Sequence, residues 1–240
     1  MNRKVLITGA SRGIGKEIAV SFASNKDDLF LTCRENIELL TELAHSFEKE
    51  YGIVCRAFKC DASDPEQVKE LFDKIGDVDV LVNNAGVAWM GLLTDMETKE
   101  WRKVLGTNLD SCFYTCKRAV PGMVRRKEGR IINITSVWGS VGASCEVAYS
   151  ASKGGVNSFT RALAKELAPS NVQVNAIACG VIDTDMNRDH LSKEDLDELC
   201  DEIPAGRMGE PKEVGELALM LSNAPKYLTG QIITLDGGWI

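Results

Sequence analysis

Val5-Leu-Ile-Thr8-Gly9-Ala-Ser11-Arg12-Gly13-Ile14-Gly15 decides the fold: an apolar run breaks into a glycine-rich turn and resumes as helix-forming sequence. Lys4–Thr8 predicts a strand and Gly15–Ser24 a helix. Glycines at 9, 13 and 15 permit a tight turn and let a pyrophosphate approach the helix N-terminus, where unpaired N–H groups and the dipole favour an anion. The spacing is not the Gly-x-Gly-x-x-Gly fingerprint, so a strand–helix turn without a ligand also fits.

Outward from this turn the chain alternates. Strands are predicted at Leu29–Thr32, Val54–Lys59, Val78–Val82, Arg130–Thr135, Gln173–Ala178 and Gln231–Leu235. Between them lie helical patterns at Ile37–Glu50, Pro65–Ile75, Ala148–Ala168, Lys193–Asp201 and Pro211–Ser222, with Pro65 suited to a first turn. A longer helical region from about Thr98 to Lys127 should break near Pro121-Gly122. Continuous apolar strands separated by amphipathic helices imply a parallel sheet covered on both faces. The expected fold class is therefore α/β: a single doubly wound, Rossmann-type domain over 1–240 with a seven-stranded sheet. Ligands of such sheets bind beyond the carboxyl ends of the strands. Thr8-Gly9, Cys33-Arg34, Asp61-Ala62, Asn83-Asn84-Ala85-Gly86, Ser136 and Gly180 all fall there.

Composition sets outer bounds. Apolar residues make up 44% and charged residues 26% of the 240 residues, as in ordinary globular domains. A net charge of −7 argues against a nucleic-acid partner. No apolar run approaches the ~18–20 residues that span a bilayer, so no membrane partner is expected. Met1-Asn2-Arg3-Lys4 runs straight into a strand, which makes the cytoplasm the default location. The eight cysteines are scattered without a Cys-x-x-Cys pair, and only His45 and His190 accompany them; reduced apolar fillers are expected and no metal site.

Chemistry concentrates in Asn133-Ile-Thr-Ser136 and Tyr149-Ser-Ala-Ser-Lys153. Positions i and i+4 share a helix face, so Lys153 should reach the Tyr149 phenol. A nearby ammonium favours the phenolate, and each unit below the usual value of about 10 corresponds to about 1.4 kcal/mol. That would make Tyr149 a usable proton donor, with Ser136 orienting a substrate oxygen. A Tyr-x-x-x-Lys pair alone is commonplace on solvated helices; the preceding nucleotide turn gives it meaning. Arg12 in that turn and Arg34 after the second strand, where no acid precedes Glu35, favour NADP over NAD. A rival reading takes Gly9-Ala-Ser11-Arg-Gly13 as a hydrolase nucleophile elbow, with Asp183 or Asp185 and His190 completing a triad. It leaves a histidine too close to its acid in sequence, and gives Tyr149 and Lys153 no role.

Together these residues resemble the short-chain dehydrogenase/reductase family over nearly the whole chain. The carrying motifs are Thr8-Gly-x-x-x-Gly-Ile-Gly15, Asn83-Asn-Ala-Gly86, Asn108, Ser136 and Tyr149-x-x-x-Lys153. The resemblance implies hydride transfer between a nicotinamide and a carbonyl or alcohol carbon, with Tyr149 donating the proton, Ser136 orienting the carbonyl and Lys153 holding the ribose. Asn108 would hold a relay water; a helix-kink role is the alternative. The implied NADPH contacts are Gly9, Ser11, Arg12, Gly13, Ile14, Gly15, Arg34, Asp61, Ala62, Asn83, Ala85, Gly86, Tyr149, Lys153, Ile182 and Thr184.

Within the family the later chain looks like bacterial 3-oxoacyl-acyl-carrier-protein reductases, through Val174-Asn-Ala-Ile-Ala, Ile182-Asp-Thr-Asp-Met186, Ile203-Pro-Ala-Gly-Arg-Met-Gly-Glu-Pro211, Tyr227-Leu-Thr-Gly-Gln231 and Asp236-Gly-Gly238. This implies fatty acid biosynthesis, a homotetramer, and a substrate-closing loop at about 184–204. Trp239-Ile240 would serve an interface or be buried within one subunit. Cys179 stands where proline is usual, and Asn171 replaces a basic residue that helps receive an acidic carrier, leaving Arg125, Arg126 and Lys127 as a landing patch or a solvated helix end. Glu146 is a carboxylate three residues before Tyr149, either facing solvent or pairing with a substrate amine. Ser136-Val-Trp-Gly139 and Gly142-Ala-Ser-Cys-Glu-Val147 resemble a subgroup linked to an aminoketone on modified elongation factor P. A non-catalytic NADP sensor is the expectation from another class.

Overall fold

Each central strand sends alternate side chains to opposite faces, and both faces are apolar. Val5 and Ile7 enter one core while Leu6 enters the other; Val80 and Val82 are divided from Leu81 in the same way. The computed structural model describes residues 2–185 and 193–240. His190 and part of the 184–204 loop lie outside the described residues. The strands β1 (Lys4–Ile7), β2 (Asp28–Cys33), β3 (Cys55–Lys59), β4 (Val80–Asn83), β5 (Gly129–Ser136), β6 (Val172–Cys179) and β7 (Ile232–Leu235) form one parallel seven-stranded sheet in the order β3-β2-β1-β4-β5-β6-β7.

The sheet is doubly wound. One face carries α1 (Gly13–Ser24) and α2 (Ile37–Tyr51), which bury Ile18, Phe22, Leu40 and Phe47. The other carries α3 (Pro65–Ile75), whose Asp64 cap accepts from the Glu66 and Gln67 amides at 2.9 and 3.2 Å, with Pro65 opening the helix. Further along lie α4 (Thr98–Leu105), α5 (Ser111–Arg126), a short α6 (Trp138–Val141), α7 (Val147–Leu167), α8 (Lys193–Glu202) and α9 (Pro211–Ser222). Val214, Ala218 and Leu221 of α9 join the α1 face, while Met123 of α5 and Leu167 of α7 pack opposite. No helix among the described residues is long and apolar enough to cross a membrane.

The long helical region breaks elsewhere than expected. α5 continues through Pro121, and the interruption is a π-helical stretch at Gly106–Asp110. Pro121 sits on the exposed side of α5, where water can take the carbonyl that its missing N–H leaves free. The break at 106–110 instead places Asn108, whose side chain brackets Val87: Oδ1 accepts from the Val87 N–H at 2.8 Å and Nδ2 donates to the Val87 carbonyl at 3.0 Å. Tertiary bonding, not the proline, sets the break.

A buried polar chain crosses the middle of the sheet. Asn83 Nδ2 donates to Asn133 Oδ1 at 2.9 Å, Thr115 donates to Asn83 Oδ1 at 2.7 Å, and Asn133 Nδ2 donates to Thr160 at 2.8 Å. Asn133 is fully buried. Truncating it strands polar groups on both sides, each costing about 1–3 kcal/mol. Asn133→Ala should therefore lower the unfolding free energy by about 2–4 kcal/mol in urea titrations. A change within about 0.5 kcal/mol would show the chain to be energetically slack.

Candidate active site

The site forms where β1 and β4 lie side by side but the following connections leave on opposite faces. Their ends are laced together. The Thr8 hydroxyl accepts the Asn84 and Ala85 amides, both at 3.0 Å, and Asn84 Nδ2 donates to the Thr8 and Gly9 carbonyls, both at 3.0 Å. The turn between them is tight: Gly9 and Gly13 have φ of +67° and +54°, values that favour glycine. A Cβ at Gly15 would lie 2.2 Å from the Gly9 carbonyl oxygen, so α1 can begin this close to the turn only with glycine there. Arg12 precedes α1 without capping it through its side chain, and Gly13, Ile14 and Gly15 line a cavity of about 500 Å³. A helix start with uncapped N–H groups at a cavity wall fits a phosphate group.

Ser11, Arg34, Asp61 and Ala62 line the same cavity. Asp61 accepts from the Ser63 amide and hydroxyl at 2.9 and 2.7 Å, which fixes its turn. Arg34 is paired with neighbouring Glu35 at 2.7 Å, and Arg12 lies 3.6 Å from Asp185; all four side chains are substantially exposed, so these pairs are weak. Cys33 is buried at the end of β2 and lines the same cavity.

The cavity also holds the expected chemical groups. Ser136 ends β5, in register with Cys179 of β6, and its hydroxyl accepts the Trp138 amide at 3.2 Å. Tyr149 and Lys153 lie one turn apart on α7 and face the same cavity, as do Gly86, Glu146, Ile182 and Thr184. Lys153 Nζ lies 5.5 Å from the Tyr149 ring centre and donates to the Ile134 carbonyl at 3.0 Å. α6 is wedged onto this turn: a Cβ at Gly139 would come within 2.7 Å of the Lys153 backbone.

The electrostatics differ from the sequence expectation. Burial raises the Tyr149 phenol above its ordinary value, Cys179 and Glu146 push in the same direction, and only the hydrogen bond with Ser136 pulls it down. Burial lowers Lys153, opposed by Cys112 and Cys179. The ammonium is engaged with a strand carbonyl, 5.5 Å from the ring centre, and burial dominates the shift of the phenol.

Two residues expected in the pocket are not on its wall. Asn83 is buried in the polar chain of the sheet, and its neighbour Asn84 lines the cavity instead. Asn108 has its side chain committed to Val87 and to Ser152, to which it donates at 2.9 Å; Ser152 in turn donates to the Tyr149 carbonyl at 2.7 Å. Trp138 and Trp239 were not named as site residues, yet both line the cavity. The basic patch is already partnered: Arg125 and Arg126 bind Asp77 at 2.5 and 2.9 Å. Ser11 is not among the non-glycine residues with positive φ (Lys26, Lys127, Cys145 and Asn171), so the strained geometry of a nucleophile elbow is missing there. Among the described residues no group of three His, Cys, Asp or Glu side chains could hold a metal ion.

Known proteins resemble this chain in sequence and fold. The family model described as short chain dehydrogenase matches residues 3–195. The uncharacterized oxidoreductase YmfI of Bacillus subtilis is 38% identical over 241 residues, covering 100% of this chain and 99% of its own. The 3-oxoacyl-acyl-carrier-protein reductase FabG of Aquifex aeolicus is 37% identical over 238 residues, covering 97% and 95%. A crystal structure of 3-oxoacyl-acyl-carrier-protein reductase from Brucella melitensis superposes with a TM-score of 0.93 at 33% identity, over 99% of this chain and 91% of that one.

Burial of the thiols near Lys153 carries a pH signature. Cys112 and Cys179 are pushed from an ordinary value of 9.0 to about 11 and about 12, chiefly by desolvation. Above pH about 9 the unfolded chain releases these protons while the folded chain keeps them, so the folded state binds more protons and stability falls as pH rises. The slope is about 1.4 kcal/mol per pH unit for each thiol, until the folded values are reached. Urea unfolding under reducing conditions should show this fall between pH 8 and pH 10.5, and Cys112→Ala should make it shallower. An unchanged slope in that variant would contradict the assignment.

Proposed function

The chain belongs to the short-chain dehydrogenase/reductase family, a family of oxidoreductases, and we propose that its reaction is the NADPH-dependent reduction of a ketone to a secondary alcohol. The observation that carries this reading is that Ser136, Tyr149 and Lys153 share one cavity with the glycine-rich turn at its far end. The proposal takes 1–240 as one domain, with the segment at about 184–204 closing over the substrate.

The family fold implies a nicotinamide cofactor, and the cradle at Gly9–Gly15 fits its phosphates. Gly9, Ser11, Arg12, Gly13, Ile14 and Gly15 would hold the pyrophosphate and the adjoining ribose, and Asp61, Ala62, Ala85 and Gly86 the adenosine half and the link onward. Ile182 and Thr184 would border the nicotinamide. When bound, the cofactor supplies the hydride. Arg34 and Arg12 support NADP, because a guanidinium answers a 2′-phosphate and Cys33 offers no carboxylate to a free ribose hydroxyl. Arg34→Ala should raise the KM for NADPH about 10–100-fold and leave that for NADH nearly unchanged. Equal losses with both would exclude a 2′-phosphate role.

Ser136, fixed by the Trp138 amide, donates its hydroxyl proton toward the substrate oxygen, and Tyr149 delivers the proton that converts the alkoxide into an alcohol. Burial keeps the phenol protonated at neutral pH, the form that a donor needs in the reductive direction. Lys153 anchors the floor through Ile134 and would hold the cofactor ribose. Asn108 would hold the relay water; its side chain is committed to Val87 and Ser152, and its carbonyl, which accepts the Cys112 thiol at 3.5 Å, has a second lone pair to offer.

For the substrate we propose 3-oxoacyl thioesters on acyl carrier protein, supported by the 37% identity to reductases so named. A second reading has one specific observation behind it. Glu146 lines the cavity and acts electrostatically on Tyr149, a placement suited to a substrate amine such as an aminoketone on modified elongation factor P. The proposal includes a cytoplasmic homotetramer, for which exposed Phe113 on α5 and Met220 on α9 supply apolar surface.

NADPH oxidation with a short 3-oxoacyl thioester and with an amino ketone separates the readings. Tyr149→Phe should reduce turnover of the preferred ketone by about 10²–10⁴-fold. Glu146→Gln should change the ratio between the two substrates only if the amine reading holds. Activity surviving Tyr149→Phe would overturn the mechanism.

A further inference from the structure

Beyond the proton-handling groups, one aromatic pair shapes the substrate end of the cavity. Trp138 and Trp239 meet edge to face, with ring centres 5.0 Å apart and planes at 64°. Both line the cavity that contains Ser136 and Tyr149. Neither can retreat easily. The Trp138 amide is bonded to the Ser136 hydroxyl, and α6, which Trp138 opens, is packed through Gly139 onto the backbone of Lys153.

Trp239 is held from both sides in sequence. The Asp236 carboxylate accepts the amides of Gly238 and Ile240, both at 3.0 Å. The Gly237 carbonyl accepts the Ala205 amide at 3.1 Å, and a Cβ at Gly237 would come within 2.8 Å of Ile203. The segment after β7 is thereby tied to the turn that follows α8, whose Leu199 also faces the cavity. A wall built from a locked aromatic pair does not adjust to its ligand as a lone flexible side chain does. Edge-to-face pairing adds about 0.5–1.5 kcal/mol beyond simple burial.

We infer that Trp239, held edge-on against Trp138, is a specificity-determining residue that limits the size of the ketone substituent lying on the Trp138–Trp239 side of the carbonyl. This deepens the ketone-reductase reading and rests on it. The substituent accepted is compact, and the indole of Trp239 is what a longer one meets. Trp239 takes no part in proton transfer, and its place at the substrate end separates it from the nucleotide cradle.

The test uses short-, medium- and long-chain 3-oxoacyl thioesters with the wild-type enzyme, Trp239→Ala and Trp239→Phe. Two readouts are taken: kcat/KM with NADPH, and calorimetric binding of the matching 3-hydroxyacyl thioesters to the NADP-loaded enzyme. The expected result is a long-to-short ratio at least about tenfold higher in Trp239→Ala, an intermediate ratio in Trp239→Phe, and NADPH affinity within twofold of wild type. A uniform loss across all chain lengths would reduce Trp239 to a packing residue and overturn the inference, as would an unchanged ratio in both readouts. A wild-type enzyme that binds the ladder but reduces none of it would defeat the reductase reading, while the binding ratios would still decide the role of Trp239.

Discussion

The hydrogen bonds between the Thr8–Gly9 turn and the Asn84–Ala85 segment are the constraint on which the site depends. A doubly wound sheet opens a crevice where its strand order reverses, but an open crevice is only a gap between two loops. The Thr8 hydroxyl, accepting two amides, and the Asn84 amide, bracketing two carbonyls, make the gap a fixed surface. Every one of these groups would otherwise be a polar atom at a partly buried strand end, costing about 1–3 kcal/mol if unpaired. Satisfying them here leaves the N–H groups at the start of α1 facing the cavity, so the same bonds that close the strand ends prepare the phosphate cradle.

The opposite end of the cavity is governed by desolvation. Tyr149 and Lys153 are one helical turn apart, and a Coulomb argument alone would have the ammonium depress the phenol. Burial acts on both groups in favour of their neutral forms, and Lys153 spends its hydrogen bond on Ile134. The phenol is consequently held protonated and oriented, with Ser136 the only neighbour favouring ionisation. For a donor in ketone reduction this is an advantage in occupancy and a disadvantage in acidity. Each unit of raised pKa makes proton loss about 1.4 kcal/mol harder, and an alkoxide, a far stronger base than water, makes up that deficit more readily than a neutral carbonyl would. On the proposed reading, the electrostatics favour proton delivery late, onto an oxygen already carrying negative charge.

The sheet, its direction and the glycine turn were legible in the sequence because local signals determine them: continuous apolar strands alternating with amphipathic helices, glycines in the first strand–helix turn, proline at a helix start. The features that escaped are those created by residues distant in sequence. Asn83 and Asn84 are adjacent, and only the strand register decides that the first enters the core while the second meets the cavity. The break at Gly106–Asp110 depends on Asn108 finding Val87, whereas Pro121 marked a break that its solvent-facing position makes unnecessary. Arg125 and Arg126 read as free positive charge until the fold brings Asp77 against them. Trp239 gained its partner because the sheet order sets the end of β7 beyond β6, within reach of the turn after β5.

These distant pairings also bear on the substrate. An acidic carrier protein approaching a chain of net charge −7 needs local positive charge, and in the Arg125-Arg126-Lys127 patch the two arginines are shared with Asp77 and, for Arg126, Asp79. At physiological ionic strength charges beyond about 8 Å are largely screened, so remote lysines compensate poorly. Recognition then falls back on the cavity itself, where a locked aromatic pair, a carboxylate at Glu146 and the Tyr149 phenol surround the position of the carbonyl. On the proposed reading, such a lining would discriminate by the size and charge of the ketone's own substituents. On that reading a carrier would contribute delivery, and selectivity would be decided by the cavity lining beside the reacting carbon.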